Sequence, residues 1–231
     1  MKRDRGARVD ITSMDKPTDV LNCRVLLALA AGAIICGAWT LFVRHKLLHW
    51  GATDDEARQS LAGDNLVANA DLTATRGITI HRPAAAVWPW IAQLGQGRGG
   101  FYSYDGLEHL VGCGIHSADR IVPEWQAIRS GDEVRLAPQV PLAVAVMEPG
   151  TALVLRGGVP IGDAAPPYDF TWAFALDEKP NGSTRLLVRE RYGYQRRRAA
   201  LLVEPVELIS FVMSQKMLRG IRDRAERQPA A

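Results

Sequence analysis

Val87-Trp88-Pro89-Trp90-Ile91-Ala92-Gln93-Leu94-Gly95-Gln96-Gly97-Arg98-Gly99-Gly100-Phe101-Tyr102-Ser103-Tyr104-Asp105 carries an aromatic helical segment into a glycine-spaced loop and restarts with two tyrosines and an acid. Val87, Trp88, Ile91 and Leu94 recur at helical spacing behind Pro83, a residue suited to a helix start. The glycines end that helix. Ser103 is placed to cap a second short one, Tyr104 to Val111, which Gly112 and Gly114 stop. Upstream, Leu72 to Ile80 puts Leu72, Ala74, Ile78 and Ile80 on one face, the pattern of a strand.

Downstream the pattern turns to strands: Ser117 to Val122, Glu133 to Ala137, Leu142 to Met147, Thr151 to Arg156, Tyr168 to Leu176 and Thr184 to Tyr192. Glu148-Pro149-Gly150 and Lys179-Pro180-Asn181-Gly182 supply the fixed φ and the positive-φ glycine of tight reversals. Tyr168, Phe170, Trp172, Phe174 and Leu176 share one face of their strand, which is expected to look inward. The last element, Glu204 to Arg227, reads as an amphipathic helix with Val206, Ile209, Val212 or Met213, Met217, Leu218 and Ile221 along one side.

Before the domain, Val25 to Val43 is nineteen residues without a charge, closed by Arg24 and by Arg44-His45-Lys46. At 1.5 Å per residue it covers about 28 Å, close to the ~30 Å of a bilayer core, and it is longer than a signal-peptide core. It is expected to be a single transmembrane anchor. Lys2, Arg3, Arg5, Arg8, Lys16 and Arg24 precede it, against Arg44, Lys46 and Arg58 after it, so positive-inside bias puts the N-terminus in the cytoplasm and the domain outside. The expected organisation is a basic tail (1–24), a membrane helix (25–48), a linker (49–71) in which Thr53 or Asp54 caps a short helix, and a domain (72–231).

The charge balance, 28 Lys and Arg against 25 Asp and Glu, excludes a nucleic-acid binder as the natural reading. Only Cys113 of the three cysteines belongs to the domain, so it has no disulfide framework of its own.

One strand, two short helices, about six further strands and a long terminal helix is the order of the helix-grip fold, an α+β architecture of a curved antiparallel sheet around the last helix. Residues 72–228 resemble the SRPBCC (START-like) superfamily. The residues that carry the likeness are Thr75-Arg76, the Val87–Asp105 run, His116-Ser117-Ala118-Asp119-Arg120 and Pro123-Glu124-Trp125, similar to an uncharacterised, often membrane-anchored branch. The resemblance implies a hydrophobic cavity between sheet and helix rather than a fixed chemistry.

Gly95-Gln96-Gly97-Arg98-Gly99-Gly100 spells G-x-G-x-x-G, but a dinucleotide site needs those glycines to leave a strand and open a helix, and these follow a helix. His109, Cys113, His116 and Asp119 are metal-ligand types without zinc-like spacing, so no metal and no cofactor is expected. Asp105 and Glu108 read as surface charge. Should the domain catalyse, His116 with Asp119 or Glu124 is the better acid–base couple, as in a cyclase or hydratase. For a pocket, Tyr102, Tyr104, Trp125, Tyr168 and Trp172 supply apolar area with polar tips, and Arg98 and Arg189 are candidates to meet an anionic head group. Arg98 could instead clamp the helix bend by pairing with Asp105 or Asp119. The expected partner is a hydrophobic or amphipathic small molecule, lipid-like, carried near the membrane; the alternatives are that enzyme and an interaction module with a filled core.

Overall fold

A computed structural model describes residues 30–32, 37, 43–104, 116–158 and 165–227. Chain contacts divide it into two units, Met1–His45 and Lys46–Ala231. Most of the stretch expected to span a membrane lies outside the described residues. Among those described, no helix is long and apolar enough to cross a bilayer.

The second unit runs through α1 (Asp54–Arg58), β1 (Leu72–Ile80), α2 (Ala84–Ala92), β2 (Glu133–Ala137), β3 (Val140–Glu148), β4 (Ala152–Gly157), β5 (Tyr168–Glu178), β6 (Thr184–Tyr194) and α3 (Ala200–Arg227). The strands form one antiparallel sheet in the order β1-β6-β5-β4-β3-β2: five pair with their chain neighbours and β1 closes onto β6. Register shifts between Arg135 and Ala137 and between Val144 and Val146 put bulges in β2 and β3, which bend strands and curve a sheet. Gly150 and Gly182 take positive φ in the two turns that their sequences signal. With the long terminal helix, this is the helix-grip architecture.

Six strands are present among the described residues where seven were expected. The segment from Ser117 to Val122 is no strand, because its backbone finds other partners. The Ala118 N–H donates to the Gly99 carbonyl (3.0 Å), while the buried Gln93 amide donates to the Arg120 carbonyl (3.1 Å) and accepts from the Val122 N–H (3.1 Å). One glutamine thus stands in for a neighbouring strand. The second short helix, apart from Tyr104, lies outside the described residues. α3 begins at Ala200, four residues earlier than the sequence pattern indicates, with Pro205 inside it.

The sheet has two occupied faces. Ile78, Ile80, Leu153, Leu155, Phe174, Leu186 and Val188 point inward onto α2 and the C-terminal half of α3 and are buried there. The opposite face is covered by the segment 49–71, which three arginines on one face of β6 fasten in place. Arg185 donates to Glu56 Oε1 (2.7 Å) and to the Gly51 carbonyl. Arg189, 2% exposed, donates to the carbonyls of Glu56, Ala57 and Gln59 and to Asp64. Arg191 donates to the Val67 carbonyl (3.0 Å). Thr53 caps α1, and its backbone N–H donates to Glu56 Oε2 (2.8 Å), completing a capping box. Gly63, at φ +83°, passes so close to Val154 that a Cβ would sit 2.6 Å from its methyl.

The hydrogen bond from Arg185, helped by the Thr53 N–H, holds the Glu56 carboxyl down at about 2, against an ordinary 4.5. A carboxyl depressed by folding stabilises the protein above its unfolded value and stops doing so as pH falls through its folded value. Glu56→Gln should therefore cost about 1–2 kcal/mol in urea unfolding near neutral pH. The difference from the parent should shrink between about pH 4.5 and about pH 2. A difference that persists undiminished to the acid end contradicts the Arg185–Glu56 fastening.

Candidate functional site

Two ends of α3 behave differently because the sequence changes along it. From Ser214 to Arg227 the helix is amphipathic, and Leu218, Ile221 and Ala225 are fully buried. Gly220 lets the helix backbone meet the Tyr102 carbonyl, where an added Cβ would come within 2.3 Å. Tyr102 is wedged there at φ +57°, a conformation a bulky residue adopts only under constraint. Its ring stands edge-on to Trp90 with the Arg224 guanidinium 4.8 Å above it, its hydroxyl donates to the Trp90 carbonyl (3.1 Å), and burial pushes that phenol up.

From Ala200 to Met213 the helix is apolar nearly all round, and it lies over a cavity of about 520 Å³ instead of a filled core. β5 contributes Tyr168, Phe170 and Trp172 to the wall, β6 contributes Glu190 and Tyr192, and Leu136, Ala137 and Leu142 come from β2 and β3. Phe101 and Ser103 add to the lining. α3 provides the remaining side with Leu202, Val206, Ile209, Met213 and Met217. Aromatic rings pack on one another behind the wall, Trp172 to Phe174 at 4.9 Å and Phe170 to Tyr192 at 4.7 Å between centroids. A space of this size and lining suits a small apolar molecule.

One polar pole interrupts the apolar wall. Glu190, 3% exposed, accepts hydrogen bonds from Arg76 Nη1 (3.0 Å), Ser210 Oγ (2.7 and 2.8 Å), Ser214 Oγ (3.0 Å) and the Tyr192 hydroxyl (3.1 Å). Arg76, wholly buried, also donates to Glu207 (2.6 Å) and to the Leu47 carbonyl (3.2 Å). Burial and the neighbouring Glu190 carboxylate push the Tyr192 phenol well above its ordinary range. Removing the arginine would take this counter-charge from two buried carboxyls, a loss of about 3–5 kcal/mol for ion pairs of this kind. α3 is thereby tied to β1 and β6 by charge at the end where it is not packed by apolar contact.

The residues singled out from sequence fall in different places. Tyr168 and Trp172 line the cavity. Tyr102 lies in the packed core beside it. Arg98 spends its guanidinium on the carbonyls of Ala92 (3.0 Å) and Trp125 (2.6 Å), clamping the end of α2 to the turn Pro123–Trp125; Trp125 itself is half-buried there. Tyr104 is exposed, with the Lys216 ammonium 5.8 Å from its ring centre. Arg189 faces the opposite side of the sheet from the cavity. His116 and Asp119 are exposed, and Asp119 takes a hydrogen bond from Arg224 (3.1 Å). Asp105, Glu108, His109 and Cys113 lie outside the described residues.

The glycine loop is closed on itself. Gly95 and Gly100 exchange backbone hydrogen bonds (3.1 and 3.0 Å), Gln96 N–H goes to Arg135, Arg98 N–H to Gly95 and Gly99 N–H to Gln93. These N–H groups are spent inside the protein, which leaves no row of them to cradle a phosphate.

Arg76, Glu190 and the two serines were not among the sequence candidates, yet the signal was there. Arg76 occupies the same parity as Ala74 and Ile78 in β1, and Glu190 the same parity as Val188 and Tyr192 in β6. A charge on an inward register of a strand is a buried charge that needs a partner.

No family model matches the sequence, and no curated protein does. Solved structures with some likeness include a protein of Mesorhizobium loti (14% identity, 69% of this chain and 100% of that one, TM-score 0.43). A hypothetical protein of Helicobacter pylori aligns at 13% identity over 72% of this chain and 95% of its own, TM-score 0.45. A Polyketide_cyc-like protein of Corynebacterium glutamicum aligns at 15% identity over 65% and 88%, TM-score 0.38. The fold assignment rests on the sheet order and terminal helix described above.

Proposed function

We propose that this protein is a membrane-anchored binding or carrier domain of the SRPBCC type, taking a hydrophobic or amphipathic small molecule between the sheet and α3. The observation that supports it is the cavity of about 520 Å³ with its aromatic and aliphatic wall. Burying an apolar guest there is worth about 25 cal/mol per Å² removed from water. Tyr168, Phe170, Trp172 and Met217 are the proposed contacts. The alternative, a cyclase or hydratase acting through His116 and Asp119, has less support because neither residue is in the cavity wall. A filled-core interaction module is disfavoured by the cavity itself.

The second part of the reading concerns the membrane. Leu201 (76% exposed), Leu208 and Val212 stand on the outer side of the same helix segment whose inner side roofs the cavity, and Ile209 (62% exposed) joins the two. Between Ala200 and Met213 the only acids are Glu204 and the buried Glu207, and Arg196 and Arg198 are exposed just before the helix. An apolar face beside a basic cluster is complementary to an anionic lipid surface. The occupant proposed for this face is the bilayer that holds the Val25–Val43 anchor, with the N-terminus cytoplasmic and the domain outside. A guest leaving the cavity would then enter lipid without crossing much water.

Native mass spectrometry of the full chain released from its own membranes should show a bound apolar molecule. Ala137→Trp, which puts an indole into the void without overpacking it, should keep the unfolding midpoint within about 2 °C and lose that molecule. Retention of the molecule by a folded Ala137→Trp protein contradicts the cavity as its site. For the membrane face, an environment-sensitive fluorophore on Leu208→Cys, in a chain otherwise cleared of cysteine, should be quenched by brominated phosphatidylglycerol in vesicles. The same label on Arg222→Cys should not be; equal quenching at both positions contradicts the proposed docking.

A further inference from the structure

The polar pole of the cavity has a chemical sense that follows from where its hydrogens go. Ser210 and Ser214 both donate to Glu190, and so does the Tyr192 hydroxyl. Ser103, also in the lining, donates to the Met213 carbonyl (3.1 Å). Each of these hydroxyls has one hydrogen, already committed, so what it has left for a guest is lone pairs, and Ser214 Oγ already gives one to Arg76 Nη1 (3.5 Å). Arg76, the guanidinium beside Glu190, is wholly buried and is engaged by Glu190, Glu207 and the Leu47 carbonyl. Among the described residues that line the cavity there is no Lys, Arg or His. Among the described residues the pole therefore sets one guanidinium against two carboxyl groups, and the serine oxygens are its remaining acceptors.

Resting on the cavity reading above, we propose that this site selects guests whose polar end donates hydrogen bonds, an alcohol or an amine, and discriminates against carboxylates. A hydroxyl or ammonium placed beside Ser210 finds an oxygen whose own hydrogen is held by Glu190 and whose lone pairs can accept. A carboxylate brings lone pairs against lone pairs and a second negative charge to an apolar wall that has no cationic side chain among its described residues. This inverts the expectation that Arg98 and Arg189 greet an anionic head group: both guanidinium groups are engaged elsewhere, and Arg189 is on the other face of the sheet.

The test uses three guests of one chain length, radiolabelled 1-dodecanol, dodecylamine and laurate. Uptake is measured at pH 8 by nanodiscs carrying the full chain, in excess of uptake by empty nanodiscs. Dodecanol and dodecylamine should bind at least ~10-fold more tightly than laurate, as expected when a buried polar site meets the wrong hydrogen-bonding partner. Glu190→Gln, whose amide also offers a donor, should narrow that ratio to ~3-fold or less. Should that variant not fold, the ratio in the parent protein still decides. Laurate binding as tightly as dodecanol overturns the head-group selection and leaves the cavity reading standing. No excess uptake of any of the three overturns both.

Discussion

Arg76 holds the site together. Its guanidinium reaches Glu190 on the adjacent strand and Glu207 on α3 from a position with no access to water, so it joins the sheet to the helix where apolar packing does not. Ion pairs in such a setting are expensive to desolvate and worth little in net stability over a well-packed apolar replacement. Their effect here is geometric. A clasp of fixed length between β1, β6 and α3 keeps the N-terminal half of the helix over the sheet without filling the space beneath it.

The same helix is packed at one end and roofs a void at the other, and the difference follows from residue type. Gly220 permits backbone contact with the Tyr102 carbonyl, and Leu218, Ile221 and Ala225 close the core around that contact. Val206, Ile209 and Met213 instead project over the void. On the far side of the sheet, Arg185, Arg189 and Arg191 alternate with the inward residues of β6 and secure the segment 49–71. Strand β6 therefore carries both constructions: one face supplies the cavity with Glu190 and Tyr192, the other holds the strap with its arginines.

Much of the architecture could be read from sequence because it depends on local pattern. β1, β2 and the aromatic face of β5 show plain alternation, and the Thr53 cap and the Pro-Gly and Asn-Gly turns are written in adjacent residues. What could not be read depends on contacts far apart in the chain. Ser117–Val122 has strand-like residues, but whether it pairs is decided by Gln93, about thirty positions away. Arg189 is indistinguishable in sequence from a ligand-binding arginine until the register puts it at the opposite parity from Glu190. Glu190 and Arg76 were legible as inward charges on alternating strands, though their partnership with Glu207, more than a hundred residues from Arg76, was not.

A fold that leaves room beside a buried charge cluster, under a helix apolar on both sides, is suited to holding a guest that is mostly hydrocarbon. Everything functional follows from that space being open. Diffraction from crystals of the protein pressurised with xenon tests it most directly, since xenon enters apolar voids that water leaves. The account predicts xenon between Phe170, Trp172 and Met217. Absence of xenon there, with the side chain of Phe101 or Met213 occupying the space, would contradict it.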